Sequence, residues 1–434
     1  MKRIYNTADK VLVYIGEEEE GSNSGMDCIA DVDGDAGNQH IYPQGAVSGL
    51  LSRPWFSRLW VIQEVARSRS AVVICGARAV SWDCFARWPF RTRGEGSAYA
   101  LPGILNYPSG FTPTSGGDSL LQLLYDNRNA MASDPRDKVF GVLGLMEDNS
   151  PYLSLIDYEL SCEKAYMQVA IGLWTESCSL RLLSAAGYQN RERASERKAL
   201  PSWVPDWRSP WPGTSFALGK TFVEPFNAGG RLSFIVKPMA NKLTVWGTRL
   251  GPPISISQSF DPACNEVECL RQWMDLAKIK EDGFEVFMRT LSASPVPAVQ
   301  DFNSREEADL SCFWHLLKGD AKHWFTRPLS KRVRSMVLYR SLFVGEHGLL
   351  GLGPEAMQPG DIIVVLLGGP TPYVLRPLDN TRSRYTLIGE CYVYDHMNGE
   401  AFHHIRKEVE LQGGVLPSTS TGPSYTRLQT FDIF

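Results

Sequence analysis

Two kinds of apolar patterning divide this chain, and their order restricts its fold more than any other feature. Near the front, β-branched runs stop at glycines: Val11-Leu12-Val13-Tyr14-Ile15 before Gly16, and Ala71-Val72-Val73-Ile74-Cys75 before Gly76. Strands covered on both faces of a parallel sheet read this way. From Leu232 the period falls to two, as in Leu243-Thr244-Val245-Trp246-Gly247 and Ile254-Ser255-Ile256, which suits strands with one buried face.

Between the two front runs, Arg53 to Arg67 has helical spacing, with Trp60, Glu64 and Arg67 near one stripe and Leu59, Ile62 and Ala66 near another. The stretch Glu17 to Gly45, rich in Glu, Gly, Ser, Asn and Asp, is expected to be a surface loop. Further helices are expected at Trp82–Trp88, Leu120–Asn129 and Glu163–Thr175, and one starts within Ser133 to Leu145 around Pro135. Lys2 to Lys10 reads as the end of a helix, so the chain opens in the middle of a β-α-β pattern and front strands are expected to be missing.

Strands return at Leu342–Gly345, Gly348–Leu352, Asp361–Leu367, Tyr373–Pro377 and Tyr385–Tyr394, as a small antiparallel barrel or sheet is expected to do. The expected organisation is an incomplete α/β parallel-sheet domain over 1–150 and a helical connector over 151–225. A β-rich domain over 226–416 follows, with a helical insertion near 264–337 and a Ser/Thr/Pro/Gly-rich tail over 417–434.

Composition excludes several function classes. A net charge of -4 provides no global field for phosphate, so no nucleic-acid partner is expected, and Lys331, Arg332 and Arg334 read as a solvated helix face. The 9 cysteines are odd in number and irregularly spaced, which suits reduced thiols in the cytoplasm better than a secreted disulfide framework. No apolar run reaches membrane-spanning length, and none suits a signal peptide. No metal or bound cofactor is expected: Cys264 and Cys269 lack a second pair, and His315/His323 and His403/His404 lack the spacing of a helical zinc site. Asp31 to Gly37 imitates a calcium loop, but Ala36 stands where the turn glycine is needed and Tyr42 where the final carboxylate is needed. There is no Gly-x-Ser-x-Gly nucleophile elbow.

Four motifs in order carry a resemblance. They are Ile4-Tyr5-x-x-Ala8-x-x-Val11-x-Val13-Tyr14-Ile15-Gly16; Arg53-Pro54-Trp55-Phe56-Ser57-Arg58-Leu59-Trp60-Val61-Ile62-Gln63-Glu64; Cys75-Gly76 with Trp82 and Phe85; and Arg128 with Ser133 to Leu145. Together they resemble the fungal heterokaryon-incompatibility (HET) domain, and Leu200–Trp207 and Gly345–Glu400 resemble regions that often follow it. The family's opening strand to Trp-Gly, and its Trp-Ile-Asp-x-x-Cys-Ile-Asn-Gln-like segment, are not found, so a HET domain truncated at its front is expected.

The resemblance implies a self/non-self recognition and cell-death factor that works through a protein partner or self-association. It also implies a fold akin to the flavodoxin-like Toll/interleukin receptor (TIR) domains, some of which cleave NAD with one glutamate near a tryptophan. Trp60-x-x-x-Glu64 is similar to that arrangement. On this reading Glu64 is catalytic, Trp60 and Arg58 bind substrate and NAD is the substrate. The carboxylate would hold the ribose hydroxyls and steady oxocarbenium-like charge. The competing reading has Glu64 paired with Arg58 or Arg67 on the helix surface, and Trp55, Trp60, Asp134, Arg136 and Asp137 as structural residues that pack, cap and pair.

Overall fold

A computed structural model of the chain describes residues 2–31, 45–91, 102–177, 179–187, 200–210, 213–219, 226–230, 241–294, 312–319, 328–379, 383–403 and 428–434. It divides into two compact units, Met1–Gly172 and Leu173–Phe434. The class is mixed α/β with a closed barrel in the second unit.

In the first unit, β1 (Val11–Tyr14) and β2 (Ala71–Cys75) run parallel, Val11 opposite Ala71 and Tyr14 opposite Ile74. The sheet is not wholly parallel as expected. β3 (Arg78–Ser81) turns back antiparallel on β2 through Gly76, which takes φ +51° and where a Cβ would meet Glu18 Cβ at 2.9 Å.

Three helices precede the RPWFSRLW motif: α1 (Lys2–Thr7), α2 (Ser22–Ala30) and α3 (Ala46–Leu51). The α2 segment corrects the expected Glu17–Gly45 loop. Met26 and Ile29 are fully buried, and Gly25 lets α3 approach so closely that a Cβ there would lie 2.9 Å from the Ala46 carbonyl oxygen. Polar composition hid two anchoring apolar residues one helical turn apart. The calcium-loop imitation beyond Asp31 lies outside the described residues.

The helix expected over Arg53–Arg67 is two helices, α4 (Pro54–Ser57) and α5 (Val61–Ala66), with Arg58 extended between them at φ -78° and ψ 136°. Tertiary hydrogen bonds cause the break. Leu59 N–H donates to the Met131 carbonyl at 2.8 Å and Met131 N–H to the Ser57 carbonyl at 2.6 Å, taking groups that a continuous helix would have used. Helices α6 (Trp82–Arg91), α7 (Gly117–Asp126) and α8 (Asp137–Leu143) follow, then α9 (Cys162–Ser177). α8 starts at Asp137 rather than at Pro135.

The second unit opens with the short α10 (Leu183–Ala186). Of the helical connector expected over 151–225, α9 and α10 are helical, whereas the later described residues are not. Residues 200–210 and 213–219 are turns, and they bury Trp203, Trp207 and Phe216 within the unit that holds the barrel.

That barrel closes in the order β10-β12-β4-β8-β9, from β4 (Leu243–Gly251), β8 (Ile362–Leu366), β9 (Pro372–Pro377), β10 (Arg384–Glu390) and β12 (Gln429–Ile433). β8 is buried at all positions, as its unbroken Ile-Ile-Val-Val-Leu run requires. The expected tail over 417–434 is corrected at its end: β12 pairs antiparallel with β4 and parallel with β10, so it closes the barrel.

A second sheet orders β11 (Tyr392–Val393), β7 (Leu350–Pro354), β6 (Arg340–Gly345) and β5 (Pro253–Ile256). The expected helical insertion contains α11 (Glu266–Leu276), α12 (Phe284–Leu291), α13 (312–318) and α14 (Pro328–Val337). Its Trp273, Phe287, Met288 and Val333 form one buried cluster with Leu342, Leu352 and Tyr392 of the sheet. Two basic residues of α14 serve the fold, Arg332 donating to the Ser292 carbonyl at 2.9 Å and Arg334 pairing with Glu266 at 2.8 Å.

Candidate functional site

The second and fourth sequence motifs meet in the first unit. Trp60, at the N-cap of α5, donates from Nε1 to Asp137 Oδ2 at 3.0 Å, while Asp137 Oδ1 accepts from the Tyr158 hydroxyl at 2.6 Å. Asp137 is buried, so both of its oxygens are satisfied by donors. Burial, then the Asp137 charge, keep the Tyr158 hydroxyl protonated well above its usual range. Arg136 pairs with Asp134 at 2.7 Å, donates to the Leu160 carbonyl at 3.0 Å and to the Tyr158 carbonyl, and lies 5.2 Å from the Tyr158 ring centroid. Hydrogen bonds from Arg136 hold the Asp134 carboxyl below the usual carboxylate range.

Two further side chains of α5 and its C-cap complete the junction. Gln63 Nε2 donates to the Gly141 carbonyl at 2.6 Å. Arg67 donates to the Gly144 carbonyl at 2.9 and 2.6 Å and to the Met146 carbonyl at 2.8 Å, satisfying carbonyls that the end of α8 leaves open. Gly141 and Gly144 permit the approach: a Cβ on either would fall 2.8 Å from Leu59 Cδ2 or 2.3 Å from Gln63. Trp55 packs edge-on against Phe56 at 5.2 Å and Trp82 at 5.9 Å.

Glu64 stands apart from this junction. It is half-buried on α5, and its carboxylate lies against the Tyr5 hydroxyl of α1. Burial first, then the charge and hydrogen bond of Glu64, raise the Tyr5 hydroxyl above its ordinary range, and the Arg58 charge partly offsets them. The structure therefore brings Glu64 together with Tyr5, which also feels the charge of exposed Arg58, while Arg67 is engaged elsewhere and the Trp60 indole N–H is held by Asp137. A half-exposed carboxylate beside a phenol can accept hydrogen bonds from vicinal hydroxyls and face developing positive charge. Tyr5 stands in the first motif, but nothing at the level of pattern places α1 against α5 and so pairs it with Glu64. The described residues hold no group of three or more side chains suited to a metal.

The second unit holds a site that sequence reasoning missed. Arg340 and Glu390, almost fully buried, pair at 3.3 Å. Glu390 also accepts from the Phe216 N–H at 2.6 Å and the Ser215 hydroxyl at 3.1 Å, and the Arg340 guanidinium sits 3.8 Å from the Phe216 ring centroid. Burial raises the Glu390 carboxyl despite the opposing Arg340 charge. Gly187, Gly213, Pro354 and Gly389 line a cavity of about 40 Å³ beside the pair. With its partners supplied from within the protein, the pair is a tie that fixes the 213–219 turn to β6 and β10. Two charged residues at the ends of apolar strand runs, Arg340 and Glu390, were its signal.

Comparison with known proteins agrees with the order of these features. Residues 1–64 match the family model described as "Heterokaryon incompatibility protein (HET)", a match that ends on Glu64. Residues 286–410 match the "Het-6 beta-barrel domain". The chain is 24% identical to "Heterokaryon incompatibility protein 6, OR allele" of Neurospora crassa, across 92% of this chain and 78% of that protein. No solved structure matches it. With a HET match at one end, a Het-6 barrel match towards the other and likeness to an incompatibility protein along most of its length, this chain is similar to the heterokaryon-incompatibility (HET) proteins.

Proposed function

We propose that this chain acts in fungal self/non-self recognition and cell-death signalling as a module that works through protein contacts, its first unit transmitting and its barrel unit recognising or regulating. The observation that carries this reading is the engagement of Trp60, Arg67, Asp134, Arg136 and Asp137 in joining α5 to α8, which makes the most distinctive HET motifs a scaffold. No described helix is long and apolar enough to cross a membrane.

NAD cleavage on a TIR-like first unit is the second reading, favoured by a half-buried Glu64 beside Tyr5, with Arg58 close enough to act on the same hydroxyl. There Glu64 would hold the ribose hydroxyls, with Arg58 and the Trp60 ring at the rim. One experiment separates the two: purified chain incubated with NAD, nicotinamide release followed, beside Glu64→Gln. The module reading expects equal, background release from both. Release by the unaltered chain that vanishes in an equally stable Glu64→Gln protein would replace it with the enzymatic reading. The variant should fold, since the Gln amide oxygen can still accept from the Tyr5 hydroxyl and the net worth of such a hydrogen bond is only about 0.5–1.5 kcal/mol.

A further inference from the structure

Two cysteines stand where the start of a helix usually carries an apolar clasp. Asn265 is the N-cap of α11, extended at φ -70° and ψ 105°, and its side chain accepts from the Glu268 N–H at 3.2 Å. Cys264 immediately precedes that cap, and Cys269 is the fourth residue of the helix. Side chains at those two positions face each other, and an apolar pair there commonly packs together and fixes the angle at which the chain enters the helix. Here the pair is two thiols. Cys264 packs on the buried cluster that contains Cys269, and the two thiols hydrogen-bond to one another.

Their surroundings differ in a way that assigns each a part. Cys264 is half-buried, at the end of a turn in which its N–H donates to the Asp261 carbonyl at 2.9 Å. Cys269 is only 2% exposed. Burial first, then the charge and hydrogen bond of Cys264, push its thiol up to about 12, against a hydrogen bond with the Gln258 side chain. Both access and thiolate character govern cysteine reactivity, so Cys264 meets a dissolved oxidant first while Cys269 waits against its sulfur. Residues 261–264 belong to no helix or strand. That turn can yield the distance by which two touching sulfurs must close to reach the roughly 2.05 Å of a bond.

We infer that Cys264 and Cys269 form a reversible oxidation site, at which a peroxide converts the clasp of α11 into a disulfide. The Cys264 sulfur attacks one oxygen of hydrogen peroxide: an S–O bond forms, the O–O bond breaks, and the departing oxygen takes the Cys264 proton and leaves as water. The Cys269 sulfur then displaces the hydroxyl: the S–S bond forms, the S–O bond breaks, and the Cys269 proton leaves with the hydroxide as a second water. Two thiols are thus oxidised by two electrons while one peroxide is reduced to two waters. The bridge ties the chain entering α11 to its first turn, in a helix whose Glu266 pairs with Arg334 of α14 at 2.8 Å and whose Trp273 lies in the buried cluster. This inference goes beyond the module reading and is independent of NAD release.

The test is thiol mapping on the full folded chain, treated with hydrogen peroxide, blocked with iodoacetamide, digested with trypsin and weighed. Both cysteines, and no other, fall in the peptide 250–271. That peptide is expected to be unalkylated and lighter by two hydrogens, so that two of the 9 thiols are lost before the rest, and dithiothreitol should recover both. Cys269→Ala should leave Cys264 as a sulfenic acid that dimedone labels. Cys264→Ala, at the less buried position, should leave Cys269 reduced, and it keeps the test open if Cys269→Ala does not fold. Three results would overturn the inference: both thiols still alkylated after other cysteines are oxidised, a sulfenic acid that persists at Cys264 in the unaltered chain, or Cys269 oxidised equally fast without Cys264.

Discussion

Asp137 shows how little of a residue's role its neighbours in sequence disclose. Beside Pro135 and Arg136 it reads as a helix-capping acid, yet its two oxygens are taken by Trp60, 77 positions away, and Tyr158, 21 positions away. Asp137→Asn keeps one acceptor but turns an N–H2 towards a donor, leaving a buried group unsatisfied. We expect a loss of about 1–3 kcal/mol, read as a lower urea midpoint together with a changed Trp emission. An unaltered midpoint would mean that water, and not Asp137, satisfies Trp60 and Tyr158.

Among elements, the short ones depend most on close backbone approach. α10 ends at Gly187, where a Cβ would fall 2.0 Å from Gly389 Cα and 2.7 Å from the Ile388 carbonyl oxygen on β10. Backbone cannot swing aside as a side chain can. Gly187→Ala is therefore expected to cost at least about 1–3 kcal/mol, the range of overpacked cores, in thermal or urea unfolding of the full chain. A neutral result would show that α10 can shift away from the barrel without loss. Other elements were legible in advance because they carry a pattern of their own: β2 is bounded as its Ala71–Cys75 run implies, and β8 lies within the expected Asp361–Leu367 strand. α2 and the break between α4 and α5 were not legible, since one rests on Met26 and Ile29 finding α3 and the other on Met131 bonding Ser57 and Leu59.

For the whole molecule, the last few residues matter more than their composition suggests. β12 joins β4 to β10, Phe431 and Ile433 are fully buried, and the Ser202 N–H donates to the Phe434 carbonyl at 3.0 Å. Burial of those two side chains represents roughly 3–6 kcal/mol, comparable with the whole stability of many domains. Deleting residues 428–434 is expected to open the barrel and abolish the cooperative unfolding of the second unit, with rapid proteolysis between β4 and β10. A shortened chain with an unchanged transition would assign barrel closure to other strands.

Periodicity gave the mixed α/β class and the strand-rich second half but not the coverage of the front strands, which read as buried on both faces whereas Leu12 and Tyr14 are exposed and β2 alternates. The motif strings carried the likeness to the HET proteins, and the odd scatter of cysteines argued against a disulfide framework before any geometry was known. Partnership was left to the tertiary structure: Glu64 beside Tyr5 rather than Arg67, Trp60 on Asp137, Arg340 on Glu390, and a strand drawn from an apparent tail. The reason is physical. A local pattern records whether a residue prefers water or the interior, whereas hydrogen bonds between groups tens or hundreds of positions apart depend on which surfaces the folded chain brings within 3 Å.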